Sequence, residues 1–225
     1  MHKVVNQRSE VGDSAKHSVD RLERLVGIGE NPFDVLIHAS RTFAGPGQYP
    51  PKDFAAYGIV AFPSRAAGKD DVQRHKMICS SYVAGLPDVT EVQTQAHAPI
   101  KTQMVTVWPI ESNNEADRIS AMPRDRACPD AVSHYGLIKS KEAIAAALRA
   151  SNAAFDGGGP FLLAWSPAEK EGDRDALVLV SNLSDVTTTE QAREIFDRWS
   201  TDIQENPELW VKGWNSEKIK MVIRL

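Results

Sequence analysis

The sequence predicts an α+β protein in which helices pack on a mixed sheet of about five or six strands. The chain has 225 residues, which is long enough to bury a core without disulfide or metal staples. Apolar residues make up 42% and charged residues 25% of it, as is usual for folded globular proteins. Segments with helical periodicity also alternate with short apolar runs, in the order α-β-β-α-β-α-β-β-α-β.

The N-terminal half contains two of the predicted helices and three of the predicted strands. The helices cover residues 13–26 and 70–84, because apolar side chains recur there at helical spacing and a glycine follows. The strands are short apolar runs at residues 33–39, 55–62 and 103–108.

Residues 111–127 are predicted to be a long polar connection after the third strand. Connections of more than about 12 residues are uncommon in compact domains and are often functional or disordered. We therefore expect either one domain over residues 13–225, preceded by a flexible segment at 1–12, or a division of the chain within 111–130.

Beyond this connection, a helix is predicted over residues 140–155, with Ile144 and Leu148 facing inward. Two apolar runs follow, at residues 161–165 and 175–180, and the charged turn between them indicates an antiparallel hairpin.

The clearest helix covers residues 187–203 and begins with a capping box formed by Thr188 and Gln191. It carries an apolar stripe, which consists of Ala192, Ile195, Phe196, Trp199 and Ile203. The last nine residues, 217–225, alternate apolar and charged side chains, which predicts a final strand.

Three predicted strands end in an aromatic residue with a proline close behind it. These residues are Phe62, Trp108 and Trp165. From the direction of the chain we expect them to gather at one pole of the sheet.

The catalytic candidates lie in the stretch RACPDAVSHYG, residues 126–136. Pro129 suits the first position of a two-turn helix, and Gly136 suits the residue after its end. Asp130 and His134 are then four residues apart on one helical face. A Ser-His-Asp triad is disfavoured because His134 directly follows the only nearby serine, and neighbouring helical side chains point about 100° apart.

Cys128 would stand at or next to the N-cap of that helix, where the helix dipole stabilises a thiolate. This position makes Cys128 a weak candidate for a reactive thiol. The alternatives are a disulfide with Cys79, the other cysteine of the chain, or two idle thiols in a reducing compartment.

A second candidate site consists of two Ser-Arg pairs that each follow a predicted strand. Arg41 belongs to the first pair, while Ser64, Arg65 and nearby Lys69 belong to the second. Because ligands of α/β sheets bind where strands end and helices begin, the two pairs are predicted to converge on one anion. Neither turn matches a nucleotide-binding motif, and Asp70 and Asp71 beside Lys69 disfavour an anion.

The third candidate is an interaction surface in the aromatic C-terminal region, which contains Trp199, Trp210 and Trp214. Tryptophan in irregular segments either pins the segment to the core or anchors a partner.

Several classes of function find no support in the sequence. A net charge of −4 without any Lys/Arg run disfavours nucleic-acid binding, and no Cys/His cluster has the spacing of a metal site. No apolar run is long enough to span a membrane, and the polar N-terminus carries no secretory signal. A cytoplasmic protein is therefore expected, or a periplasmic or secreted one if a signal peptide has been removed.

Two hypotheses of function remain. The first is a non-catalytic interaction or assembly module that uses the aromatic C-terminal region and a sheet edge to bind a protein partner or a second copy, with no cofactor. It is preferred because no catalytic constellation satisfies the geometric tests above. The alternative is an enzyme or sensor for an anionic small molecule, acting at the Ser-Arg turns or through Cys128.

Overall fold

The computed structural model describes residues 36–49, 51–150, 158–173 and 178–207. This part of the chain contains one five-stranded mixed sheet and six α-helices, which confirms the predicted α+β class. The helix predicted at 13–26, the final strand predicted at 217–225, and the predicted flexible segment at 1–12 lie outside the described residues.

Three of the five strands match predicted ones closely, whereas the first begins and ends later than expected and the fifth ends later. The bounds are His38–Ala44 for β1, Ala56–Ala61 for β2, Gln103–Pro109 for β3, Phe161–Trp165 for β4 and Val178–Asn182 for β5. The strand order is β1-β3-β2-β4-β5. β3 is parallel to both β1 and β2, while β4 is antiparallel to β2 and to β5, so the predicted hairpin is confirmed.

Helices cover both faces of the sheet. Their bounds are Lys69–Gly85 for α1, Val89–Gln95 for α2, Asn113–Ser120 for α3, Arg124–Ser133 for α4, Leu137–Arg149 for α5 and Thr189–Glu205 for α6. α5 packs on one face against β2, β3 and β4, whereas α1 and α6 pack together on the other face. None of the described helices is both long and apolar enough to cross a membrane.

The prediction of a polar connection over residues 111–127 is wrong, because α3 and the start of α4 occupy it. The side chain of Ser112 caps α3 by accepting a hydrogen bond from the backbone N–H of Glu115. Ala116 and Ile119 are buried, so this polar segment is an amphipathic helix that packs on β1. The extension of one domain over 13–225 stays a prediction.

The α5 face differs from expectation because small side chains, not large ones, contact the sheet. Ala143, Ala146 and Ala147 are buried, whereas Leu148 is 58% exposed and Ile144 is only partly buried. Alanines allow a helix axis to approach a sheet closely, which turns the longer side chains away from the contact.

The predicted aromatic pole is confirmed for two of its three members. Phe62 and Trp108 lie on the α1 face with their ring centroids 5.4 Å apart, and both contact the ring of Tyr135. Trp165 instead stacks on Tyr57 on the α5 face. Because β4 is antiparallel to β2, its last residue lies opposite the beginning of β2 rather than the end.

His75 of α1 is buried against this aromatic cluster, 3.8 Å from the Phe62 ring centroid. Burial lowers the pKa of His75 from 6.5 to about 4. Between these two pH values the unfolded chain binds more protons than the folded one, so we expect stability to fall as the pH drops from about 6.5 towards 4. Urea unfolding across this range measures the effect, and His75→Gln should reduce the slope, whereas an unchanged slope would refute the assignment.

Candidate functional site

A concave surface lies between β5 and α6, and we call it the β5–α6 groove. It encloses about 530 Å³, a volume in the range of ligand and peptide sites. Its floor is apolar and includes Leu162 of β4 and Leu179 of β5, and its α6 wall includes Ile195 and Trp199. Gln191 and Asp202, at opposite ends of the groove, are about 16 Å apart along the helix axis.

The groove exists because α6 is held against α1, while β5 lies further along the sheet. Gly85 at the end of α1 makes the close approach possible, since a Cβ there would lie 2.8 Å from the Cβ of Phe196. The loop from β5 to α6 is fixed by Arg74 of α1, whose guanidinium donates hydrogen bonds to the carbonyl oxygens of Leu183, Ser184 and Val186.

Charged side chains surround the apolar floor. Three carboxylates and one guanidinium line the groove, from Asp185, Glu194, Asp202 and Arg198. Partial burial raises the pKa of Asp202, and the nearby Arg198 partly offsets that rise. The described side chains of the lining therefore carry a net charge of −2 at neutral pH, which favours a basic ligand.

Of the three tryptophans in the predicted interaction surface, only Trp199 lies among the described residues. It is mainly a core residue. It is 8% exposed, and its indole N–H donates a hydrogen bond to Oγ1 of Thr106 in β3, at 2.9 Å. Its ring also forms part of the groove wall. Trp210 and Trp214 lie outside the described residues.

The placement of Arg41 just past a strand is wrong, because β1 continues through Arg41 to Ala44. The side chain is only 5% exposed and is held at the end of α1. Its Nε donates to the carbonyl oxygen of Leu86 at 2.9 Å, and Nη1 lies 3.6 Å from the carboxylate of Asp88. Its backbone N–H donates to Pro87, so this residue closes the β1 edge of the sheet.

Ser64, Arg65 and Lys69 do follow β2, as predicted, and all three are exposed. Arg65 already contacts a carboxylate, that of Glu111, at 3.1 Å. The backbone N–H of Ala67 donates to the carboxylate of Asp71, so an acidic side chain occupies this helix start. Arg41 and Arg65 thus contact different carboxylates, and the two Ser-Arg pairs do not form one anion site.

The proposed position of Cys128 at a helix start is also wrong. α4 begins at Arg124, so that Cys128 is its fifth residue and Pro129 lies inside it. Cys128 is nearly buried and bonded to Cys79 of α1 through a disulfide that joins the two helices. The hypothesis of a reactive thiol is therefore not supported, whereas the disulfide alternative is confirmed.

Asp130 and His134 do not contact each other in a catalytic pair. The carboxylate of Asp130 contacts Arg118 at 2.6 Å, while Nδ1 of His134 lies 2.9 Å from Glu111. The hydrogen bond from His134 and the contact with Arg65 lower the pKa of Glu111. These residues form a surface ion-pair network.

Gly136 was expected directly after the end of a helix. Instead it directly precedes α5, and its φ of −76° is not left-handed. A Cβ on Gly136 would lie 2.9 Å from the carbonyl oxygen of Ile110. The position therefore requires glycine for the close approach of two backbone segments.

The β5–α6 groove was missed by sequence reasoning, although Ile195 and Trp199 were placed on one helical stripe. A groove depends on which faces of α6 the rest of the fold leaves uncovered, and no local pattern records this. No group of three or more metal-ligating side chains is present in the ranges that the structure describes. Comparisons with protein-family models, with curated protein sequences and with solved structures each gave no match.

Proposed function

We propose that this protein is a non-catalytic interaction module whose binding surface is the β5–α6 groove. The apolar groove beside the last strand of the described sheet carries this proposal. At the opposite end of the described sheet, Arg41 and residues 86–88 close the β1 edge. An extended peptide that adds to β5 would place alternate side chains on the groove floor.

The chemistry of the groove defines the kind of segment that it binds. The apolar floor favours aliphatic or aromatic side chains at every second position of the peptide. The net charge of −2 around the floor favours lysine or arginine at the positions between them. We therefore propose a protein partner with an extended segment in which apolar and basic residues alternate.

We expect a fluorescein-labelled peptide of alternating isoleucine and lysine to bind the protein, and Ile195→Arg to weaken binding at least tenfold. Ile195 is half-buried in the groove wall, and a guanidinium there fills apolar space and repels the lysines. Fluorescence anisotropy gives the dissociation constants.

The matched control is Thr201→Arg, which adds the same charge at an exposed position of α6 outside the groove. This variant should bind the peptide as well as the unsubstituted protein does. Equal weakening by both substitutions would show only a general charge effect and would refute a role of the groove.

The alternative of an anionic small-molecule ligand has less support. Arg41 is buried in contact with Asp88, and Arg65 is in contact with Glu111, so an anion would have to displace a carboxylate at either position. Lys69 is exposed but is followed directly by two aspartates, Asp70 and Asp71.

The disulfide favours an oxidising compartment, such as the periplasm or the extracellular space, over the cytoplasm. Reducing compartments keep most thiols reduced, and a disulfide between two core helices is typical of exported proteins. The mass of the denatured, unreduced protein isolated from its native host tests this proposal, because the disulfide removes two hydrogens. A reduced mass would place the protein in a reducing compartment.

A further inference from the structure

We propose that the α5 face of the sheet contains a second binding site, which is uncharged and holds its ligand through hydroxyl groups. Four buried side chains form this site: Ser40 of β1, Gln103 of β3, Tyr57 of β2 and Trp165 of β4. The site lies on the face of the sheet opposite α1 and α6, so it is separate from the β5–α6 groove. The inference therefore does not depend on the proposed interaction module.

Each of the four side chains has a buried polar atom without a hydrogen-bond partner among the described residues. The atoms are Oγ of Ser40, Oε1 of Gln103, the hydroxyl oxygen of Tyr57 and Nε1 of Trp165, and all four residues are 0% exposed. Among the side chains that the structure describes, only one other has such an atom, Ser81 of α1. Buried polar groups in folded proteins are nearly always hydrogen-bonded to the protein or to a bound molecule. The concentration of four such atoms on one face therefore points to a ligand.

The register of the sheet places the four side chains next to one another. Ser40 and Tyr57 are both in register with Val105 of β3, on either side of it, and Trp165 is in register with Tyr57. Residues in register project from the same face, so they form one row across four strands. Gln103 stands two residues before Val105 and therefore projects from that face as well, beside Ser40. Val105 belongs to the apolar cluster under α5, which identifies the face.

The hydrogen-bonding capacity of the four side chains suits a hydroxyl ligand. The indole N–H of Trp165 only donates, Oε1 of Gln103 only accepts, and the hydroxyls of Ser40 and Tyr57 do both. A ligand hydroxyl also donates and accepts at a single oxygen, so it can pair with any of these four groups. Neighbouring strands are about 4.8 Å apart, so the row from Ser40 to Trp165 is about 14 Å long. More than one hydroxyl is needed to serve it.

None of the four side chains carries a charge at neutral pH. Burial raises the pKa of Tyr57 well above its usual value, and the carboxylate of Glu171 adds to the rise, so the phenol stays protonated. Lys139 of α5 neutralises Glu171, because its Nζ lies 2.8 and 2.9 Å from the two carboxylate oxygens. An ionic ligand would be buried here without a countercharge, and this favours an uncharged one.

Two sources provide uncharged hydroxyl groups of this kind. The first is a small group of bound water molecules, which typically make about three hydrogen bonds each to buried polar groups. The second is a polyol from solution. Both sources present the same chemistry to the four side chains, so the occupancy of the site and the source of the hydroxyls are measured separately.

Removal of single hydroxyls tests whether the site is occupied. Tyr57→Phe and Ser40→Ala each delete one hydroxyl and keep most of the packing. Because the ligand loses a hydrogen bond, we expect both variants to melt at a lower temperature than the unsubstituted protein, as measured by circular dichroism. An unchanged or higher melting temperature in both would overturn the proposal, since removing an unpaired buried hydroxyl relieves a desolvation cost.

Ser81→Ala is the matched control for Ser40→Ala. Ser81 is equally buried and also lacks a hydrogen-bond partner among the described residues, but it lies on α1, outside the site. We expect this variant to melt no lower than the unsubstituted protein. A loss as large as that of Ser40→Ala would show a general cost of replacing buried serines and would refute the site.

The indole proton of Trp165 identifies the source of the hydroxyls. Its NMR signal in the full chain is assigned from its loss in Trp165→Phe, and we expect a direct cross-relaxation peak between this proton and water in polyol-free buffer. If the peak persists on addition of glycerol or myo-inositol, the ligand is water. Loss of the peak with a saturable shift, about tenfold weaker in Ser40→Ala, assigns the site to a polyol. Neither a water peak nor a shift with either polyol would overturn the proposal.

Discussion

Replacing Cys79 and Cys128 together by alanine is expected to lower the free energy of unfolding by about 4 kcal/mol. The disulfide joins residues 49 apart in sequence, and the chain-entropy relation gives about this value for a loop of that length. For a protein of this size the melting temperature should fall by about 8–16 °C. Urea and thermal unfolding followed by far-UV circular dichroism provide both values.

The comparison needs two controls because the substitution also removes buried sulfur atoms. Ser80→Ala, at an exposed position next to Cys79 on α1, should change stability little. The unsubstituted protein, unfolded with and without a reductant, isolates the covalent bond itself. Equal stability of the oxidised and reduced forms would contradict a stabilising role for the disulfide.

Trp108→Ala is expected to lower the free energy of unfolding by about 3–5 kcal/mol, the range for removing a buried aromatic side chain. Trp108 is fully buried in β3, and its ring contacts those of Phe62, Tyr82 and Tyr135. Its indole N–H also donates a hydrogen bond to the carbonyl oxygen of Ala131, which connects the sheet to α4. Alanine therefore leaves a cavity and a buried carbonyl without its donor.

Urea unfolding followed by circular dichroism measures this loss, because the signal does not depend on the tryptophan that is removed. Trp108→Phe is the milder variant: it retains most of the packing but loses the N–H donor, and should lose less stability. A loss below about 1 kcal/mol in Trp108→Ala would contradict the central position of this ring in the core.

Local patterns in the sequence were sufficient to predict most individual elements. The apolar stripe and the capping box of α6 each depend on residues three or four positions apart in the sequence. The capping box of Thr188 and Gln191 is present as predicted. The hairpin of β4 and β5 was also predicted, because its two apolar runs and charged turn are adjacent. Helix α2 was missed although Asp88 and Glu91 form a capping box of the same kind.

Errors arose where an element is defined by its packing rather than by its local pattern. The polar stretch at 111–127 looked like a loop because only Ala116 and Ile119 of α3 are buried, and two apolar residues are too few to reveal a helical period. α5 was given the wrong inner face because a close approach to the sheet selects alanines over larger residues such as Leu148.

The positions of the candidate site residues depended on tertiary structure more than the positions of the helices and strands did. Arg41 was expected at a strand end, but the register of β1 against β3 extends the strand past it and buries its side chain. Trp165 was expected beside Trp108, but the antiparallel direction of β4 carries it to the other pole and the other face.

The sequence by itself determined the α+β class, the helix α6 and the hairpin, because these depend on residue spacings within one segment. Only the tertiary structure decided that Cys79 and Cys128 form a disulfide, since the 5.6 Å between their Cα atoms results from the packing of α1 on α4. It also decided that an acidic, apolar-floored groove lies beside β5. Such surfaces combine residues from distant segments, and a linear pattern does not encode which of those segments the fold brings together.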